Sequence, residues 1–150
     1  MPEKQTIERA RRAKREGKSP STQAGEFVRE EIHHIREGKH GARSTKQVIA
    51  IGLSKARRAG VKLKPPKKGK TSAKARRRAQ SDYEVGQLGS TAKPSPRRSR
   101  ATLQALRHEG RGAASAKALA GQARLSSSRR SAAARSASAK KAAETRADAR

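Results

Sequence analysis

The chain has 150 residues, 39 of them Lys or Arg against 12 Asp or Glu, for a formal net charge of +27. Hydrophobic residues make up 31% and aromatics 1%, and cysteine is absent. This excludes disulfide staples and thiolate metal centres and leaves little apolar surface for an ordinary core. Low hydrophobicity with charge of one sign predicts a chain that is mostly α and largely disordered, a small antiparallel αα-hairpin with long basic low-complexity tails.

Residues 1–20 read as a charged N-terminal arm with a short exposed helix. Over residues 1–18 the charges alternate in sign and Ile7 is the sole large apolar residue, so the arm has no evident face to bury. The hairpin is expected over residues 21–64. Ser21 or Thr22 can cap its first helix, in which Ala24, Val28, Ile32 and Ile35 recur on one side over residues 24–37 with Phe27 at the edge. Gly38 stands where a left-handed residue ends a helix.

The second helix opens with Ser44 and Gln47, a capping-box pattern. Val48, Ile49, Gly52, Leu53, Ala56 and Ala59 then fall within an arc of about 140°. Gly60 and Pro65-Pro66 close the segment. A glycine inside the apolar stripe predicts close approach of the partner helix at Gly52. The hairpin core is therefore assigned to Phe27, Val28, Ile32, Ile35, Val48, Ile49, Gly52, Leu53 and Ala56. So few side chains bury too little to order the segment alone. The hairpin is expected to form a homodimer or to fold on a polyanion.

Residues 65–98 read as a basic linker, with one helical turn at 72–80 and a less basic interruption at 81–90. Residues 99–150 read as an Ala/Ser/Arg/Lys-rich low-complexity tail with short helices, one of them carrying Leu103 and Leu106. Ala, Ser, Lys and Arg fill 31 of the positions 113–150, which favours helix but supplies no core.

The distribution of charge is the strongest functional signal. Residues 1–37 carry nine Lys or Arg against seven Glu, whereas residues 38–80 carry fifteen and no acid. Solubility alone does not require one sign, so a nucleic-acid partner is expected, duplex DNA first and RNA as the alternative. The cations assigned to phosphate are Arg43, Lys46, Lys55, Arg57, Arg58, Lys62, Lys64, Lys67, Lys68, Lys70, Arg76, Arg77, Arg78, Arg97 and Arg98. The N-terminus of the second helix, with its free N–H groups, is the expected docking point. Ser95-Pro96-Arg97-Arg98 resembles the Ser-Pro-basic turns of histone tails, with a proline-punctuated linker as the plainer reading.

Other chemistry finds no support in these patterns. Gly69-Lys70-Thr71 is not a phosphate loop, because Lys64 stands where its first glycine belongs. His33, His34, His40 and His108 lack the i,i+4 zinc-ligand spacing and are expected on solvated helix surfaces, with Glu30 pairing weakly to His34. No metal, cofactor, small-molecule substrate or enzyme activity is expected. The longest nonpolar run, residues 48–53, is too short for a membrane span. The expectation is a soluble cytoplasmic protein at the bacterial nucleoid, with no membrane partner.

Residues 25–64 resemble an uncharacterised bacterial family of short Lys/Arg-rich domains. The resemblance lies in Ser44, Lys46, Gln47, Ile49, Ala50, Ile51, Leu53, Ser54, Ala56, Arg57, Arg58 and Gly60. It implies bacterial origin rather than a mechanism. The tail resembles bacterial histone H1-like proteins in composition only. The leading expectation is non-sequence-specific, histone-like charge neutralisation and bridging. The alternatives are an RNA- or ribosome-associated binder, or a helical hairpin that binds protein and is localised by its tails.

Overall fold

Serines ahead of alanine-rich or amphipathic runs start most of the helices of this protein. The computed structural model describes residues 2–89 and 95–148. Its elements are α1 (Lys4–Arg15), α2 (Pro20–Arg36), α3 (Thr45–Arg58), α4 (Ala73–Gln87), α5 (Pro96–Arg107), a 3-10 turn (Gly112–Ala114), α6 (Ala116–Ser128) and α7 (Ala132–Ala147). No strand occurs among the described residues. The chain divides into two compact units, Met1–Ser115 and Ala116–Arg150.

The expected hairpin forms, and α2 and α3 run antiparallel. Phe27 packs with Ala56 at one end, and Ile35 with Val48 at the other. Helix α2 starts earlier than the sequence suggests. Ser19 Oγ, rather than Ser21 or Thr22, accepts the cap bond from the Thr22 amide, and Pro20 occupies the first turn, where its missing N–H costs nothing. Ser44 Oγ accepts from the Gln47 amide as the pattern implies, but Gln47 Oε1 reaches back to the Arg43 amide. Gly60, at φ 86°, ends α3 in a Schellman turn: its amide bonds to the Arg57 carbonyl and the Val61 amide to that of Ala56.

The close approach expected at Gly52 is present. A Cβ added there would lie 2.6 Å from the Val28 Cα. Gly52→Ala gains about 1 kcal/mol of helix propensity, but overpacking against backbone costs about 1–3 kcal/mol. The variant is expected to lose stability in urea unfolding. Gly25→Ala, with nothing within 4 Å of its Cβ on the same pair of helices, is expected to gain about 1 kcal/mol. Equal signs for the two changes would refute the packing account.

A lone hairpin with disordered flanks is the expectation that the structure overturns. Residues 1–20 are not a solvated arm, because α1 packs on α2 through a narrow stripe of Thr6, Ile7, Ala10 and Ala13. Thr and Ala let the helices lie close, so little apolar signal is needed in the sequence. Residues 61–64 continue the core as extended chain. Val61 and Leu63 pack onto the cluster of Ala10, Ala24, Phe27 and Ala56, while Lys62 and Lys64 face solvent.

Residues 72–89 are more than one turn and an interruption. Ser72 caps the continuous helix α4, which packs on α3 through Ala79, Asp82 and Gly86. Residues 106–114 cross the α2–α3 loop as a strap. The Gly41 and Ala42 amides bond to the carbonyls of Leu106 and Gly110, and Ala114 fills a second cluster with Ile35, Ala42 and Val48. These additions supply the burial that the hairpin lacks by itself.

Residues 90–94, inside the expected basic linker, lie outside the described residues. In the second unit α6 and α7 bury no residue. They rest on alanine's helix propensity and on local bonds such as the Ser131 Oγ cap to the Ala134 amide.

Candidate functional site

The long cationic arm that follows α3 begins on that alternating segment. Leu63 is held inward, and its carbonyl accepts a bond of 3.1 Å from Arg57 Nε. Lys62, Lys64, Lys67, Lys68 and Lys70 therefore project from a chain whose backbone is anchored on the core. Arg76, Arg77 and Arg78 follow, exposed on α4. None of these cations joins a salt bridge among the described residues. Lys46 on α3 is exposed as well, and so are Arg97 and Arg98 in the first turn of α5. Ser95-Pro96 therefore opens a helix rather than a linker.

Three of the cations assigned to phosphate have internal duties instead. Arg57 is only 7% exposed, and burial lowers the pKa of its guanidinium while Asp82 opposes that shift. Lys55 Nζ bonds to Glu31, which is 1% exposed. Arg58 Nε lies 2.6 Å from Asp82 Oδ1, whose other oxygen accepts from Ser54 Oγ at 2.6 Å. Helical phase places these three outward on an isolated hairpin; in the fold Arg57 is buried, Glu31 draws Lys55 in, and Arg58 pairs with Asp82 of α4 while its side chain stays 56% exposed. Arg43 remains exposed, 3.7 Å from Glu109. The expected docking point at the start of α3 is partly filled, since Thr45 Oγ1 donates to the Ala113 carbonyl of the strap.

Around the C-terminal half of α2 and the loop after it lies a cluster that the sequence reading missed. His34 and His40 are not solvated, although His33 and His108 are. Glu30 and Glu31 are buried on α2, and His40 is buried on the loop beyond it. Nε2 of His34 lies 2.9 Å from Glu3 Oε1 and 3.8 Å from Glu30 Oε1, so the Glu30–His34 pairing is present but long. The hydrogen bond from His34 and that from Lys39 hold the Glu3 carboxyl below its usual pKa. Nδ1 of His34 lies 3.7 Å from Glu31 Oε1, and Nε2 of His40 lies 3.5 Å from Glu31 Oε2. One donor atom from each of Glu31, His34 and His40 lies within 4.8 Å of the other two, and Glu3, Glu30 and His34 form a second such group that includes the exposed Glu3. Glu31 and His34, three apart on one helix face, were the legible part of this signal. His40 arrives only through the turn at Gly38.

Part of each of these regions falls within one family match. Residues 4–68 match the model of a family of unknown function (DUF6496). No curated protein and no solved structure matches the chain. The match begins twenty-one residues before the resemblance at residues 25–64, and it takes in α1, α2, α3 and the first half of the cationic arm. That is the span in which α1 packs on α2 and Val61 and Leu63 close the core. No helix among the described residues is long and apolar enough to cross a membrane.

Proposed function

We propose that the protein binds duplex nucleic acid, DNA foremost, through phosphate and without reading sequence. In this reading it neutralises charge and bridges duplexes as nucleoid-associated proteins do. The observation that carries the reading is the run of unpaired, exposed cations from Lys62 to Arg78 beside a folded helical core. Phosphate neutralised by such side chains releases condensed counterions, which supplies affinity independent of base sequence. With 1% aromatic residues the chain has few platforms on which unstacked bases could lie. That favours duplexes over single strands.

The test is binding of the full chain to two unrelated DNA duplexes, a matched RNA duplex and a single strand. Similar affinity for both DNA duplexes and weaker binding to the single strand are expected. A strong preference for the RNA duplex would move the assignment to RNA. Selection of one DNA sequence over the other would sink the non-specific reading.

Within the basic surface the cations should separate by role. Arg57→Gln is expected to lower the thermal midpoint by loss of its buried bond to Leu63, and to leave DNA affinity per folded molecule unchanged. Joint replacement of Lys67, Lys68 and Lys70 by Gln is expected to do the reverse. The check is thermal unfolding and DNA titration on the same samples.

A further inference from the structure

The buried cluster under the α2–α3 loop has two imidazoles addressing one carboxylate, each through the nitrogen that its other partner leaves without a proton. Nδ1 of His40 lies 3.0 Å from the Gly41 carbonyl oxygen, an acceptor, so Nδ1 carries the hydrogen. In a neutral ring Nε2 is then a bare lone pair, and it faces Glu31 Oε2. Nε2 of His34 likewise donates to Glu3 Oε1, which leaves Nδ1 bare toward Glu31 Oε1. Lone pairs set against a buried carboxylate repel unless a proton or a metal cation lies between them.

The spacing fits such an ion. Ligand atoms about 2.0–2.2 Å from a tetrahedral zinc ion stand about 3.3–3.5 Å apart. The two nitrogen–oxygen separations here are 3.5 and 3.7 Å, slightly open for an ion and long for a direct hydrogen bond. Behind each imidazole stands the acceptor that commonly orients a metal-bound histidine, a backbone carbonyl for His40 and a carboxylate for His34. A second observation is independent of this geometry. Glu30, with a side chain 2% exposed, has its Oε2 buried without a hydrogen-bond partner, while its Oε1 lies 3.8 Å from His34 Nε2. Lys55 Nζ, bonded to Glu31 Oε1 and 3.9 Å from Glu30 Oε1, is the permanent cation that faces these two buried carboxylates, and it leaves Glu30 Oε2 unserved.

We propose that Glu31, Nδ1 of His34 and Nε2 of His40 bind a divalent transition-metal ion of the zinc class. Two imidazoles and a carboxylate suit such an ion better than calcium or magnesium, which take oxygen ligands. Lys55 Nζ, now on Glu31, is the competitor. Its side chain is 24% exposed, so it has a path to solvent when the ion enters. The ion joins α2 to the loop that leads into α3 and, through Glu3, steadies the start of α1.

The test uses the full chain at neutral pH, with zinc titrated against a chromogenic chelator and cobalt(II) as the spectroscopic probe. One ion per chain, tetrahedral cobalt bands in the visible and a higher thermal midpoint with zinc are expected. His40→Ala and Glu31→Gln should abolish binding and His33→Ala should not. Glu3→Gln, which removes the carboxylate behind His34, should weaken binding about 10–100-fold. Lys55→Met should lower the midpoint of the metal-free protein and have it restored by zinc. Wild-type protein without cobalt bands would overturn the site, as would His40→Ala with wild-type affinity. Failure of zinc to restore Lys55→Met would also overturn it, and would leave the cluster as an ion-pair network of protonated histidines.

Discussion

Raising the salt from about 50 to about 200 mM is expected to cost the full chain 10³–10⁵ in affinity for duplex DNA, the loss that accompanies six to ten phosphate contacts. Residues 38–80 supply fifteen cations and no acid. Internal pairing takes up Lys55 and Arg58, burial takes up Arg57, and Lys39 pairs with Glu3 and Glu37. Of the eleven that remain, eight assigned to phosphate beyond α3, Lys62, Lys64, Lys67, Lys68, Lys70, Arg76, Arg77 and Arg78, are exposed. Each contact to phosphate contributes about 0.9 to the slope of log K against log salt. If all of them engage, their joint replacement by glutamine flattens the slope by about 7. Equilibrium binding at several salt concentrations measures this directly. A slope that is already flat in the wild type would remove the electrostatic account, whatever the affinity at one salt concentration.

Phe27→Ala is expected to destabilise the first unit by about 3–5 kcal/mol, a large share of the about 5–15 kcal/mol that holds a small domain together. Phe27 is the only phenylalanine in the chain, and it is 1% exposed. Its ring meets Ala10 and Ala24, Ala56, and Val61, so it joins α1, α2, α3 and the start of the cationic arm. Ala10, Ala24 and Ala56 have short side chains that cannot move in to refill the space, while Val61, Ile7, Leu53 and Leu63 border it as well. Phe27→Leu, which keeps most of the volume, should recover most of the loss. Circular dichroism during urea unfolding reads both. An alanine variant with an unchanged midpoint would show that the four segments do not share a core at this point.

Much of the hairpin was legible because its signals are local. The Ser44 cap, the stripe from Val48 to Ala56 and the Gly60 turn all lie within one helix and its ends. The contribution of α1 was not legible. Its buried face is Thr6, Ala10 and Ala13 with Ile7 at the edge, and small side chains give almost no hydrophobic signal while permitting close helix contact. Helix α4 was hidden for a related reason, since its contacts to α3 are a small residue, a glycine and the polar Asp82. The expectation of a mostly disordered chain rests on low hydrophobicity combined with charge of one sign. It failed because alanine-rich helices need less burial per residue, and because the strap at residues 106–114 reaches back across the first loop.

The sequence by itself determined the excess of positive charge, its concentration after residue 37, the helical class and the place where α2 turns back into α3. These follow from composition and from interactions within a few residues, and no fold has to be known to read them. Only the tertiary structure decided which cations are free. Arg57 and Arg58 look like Lys62 and Lys64 in sequence, yet Arg57 is buried with its Nε on the Leu63 carbonyl and Arg58, though exposed, pairs with Asp82 of α4, while the two lysines face water without an acid. It likewise gathered His40, Glu31 and His34 into one buried group across a turn. Whether a charged or titratable side chain meets solvent, an acid or an ion depends on which distant segment packs beside it, and one-dimensional order does not carry that information.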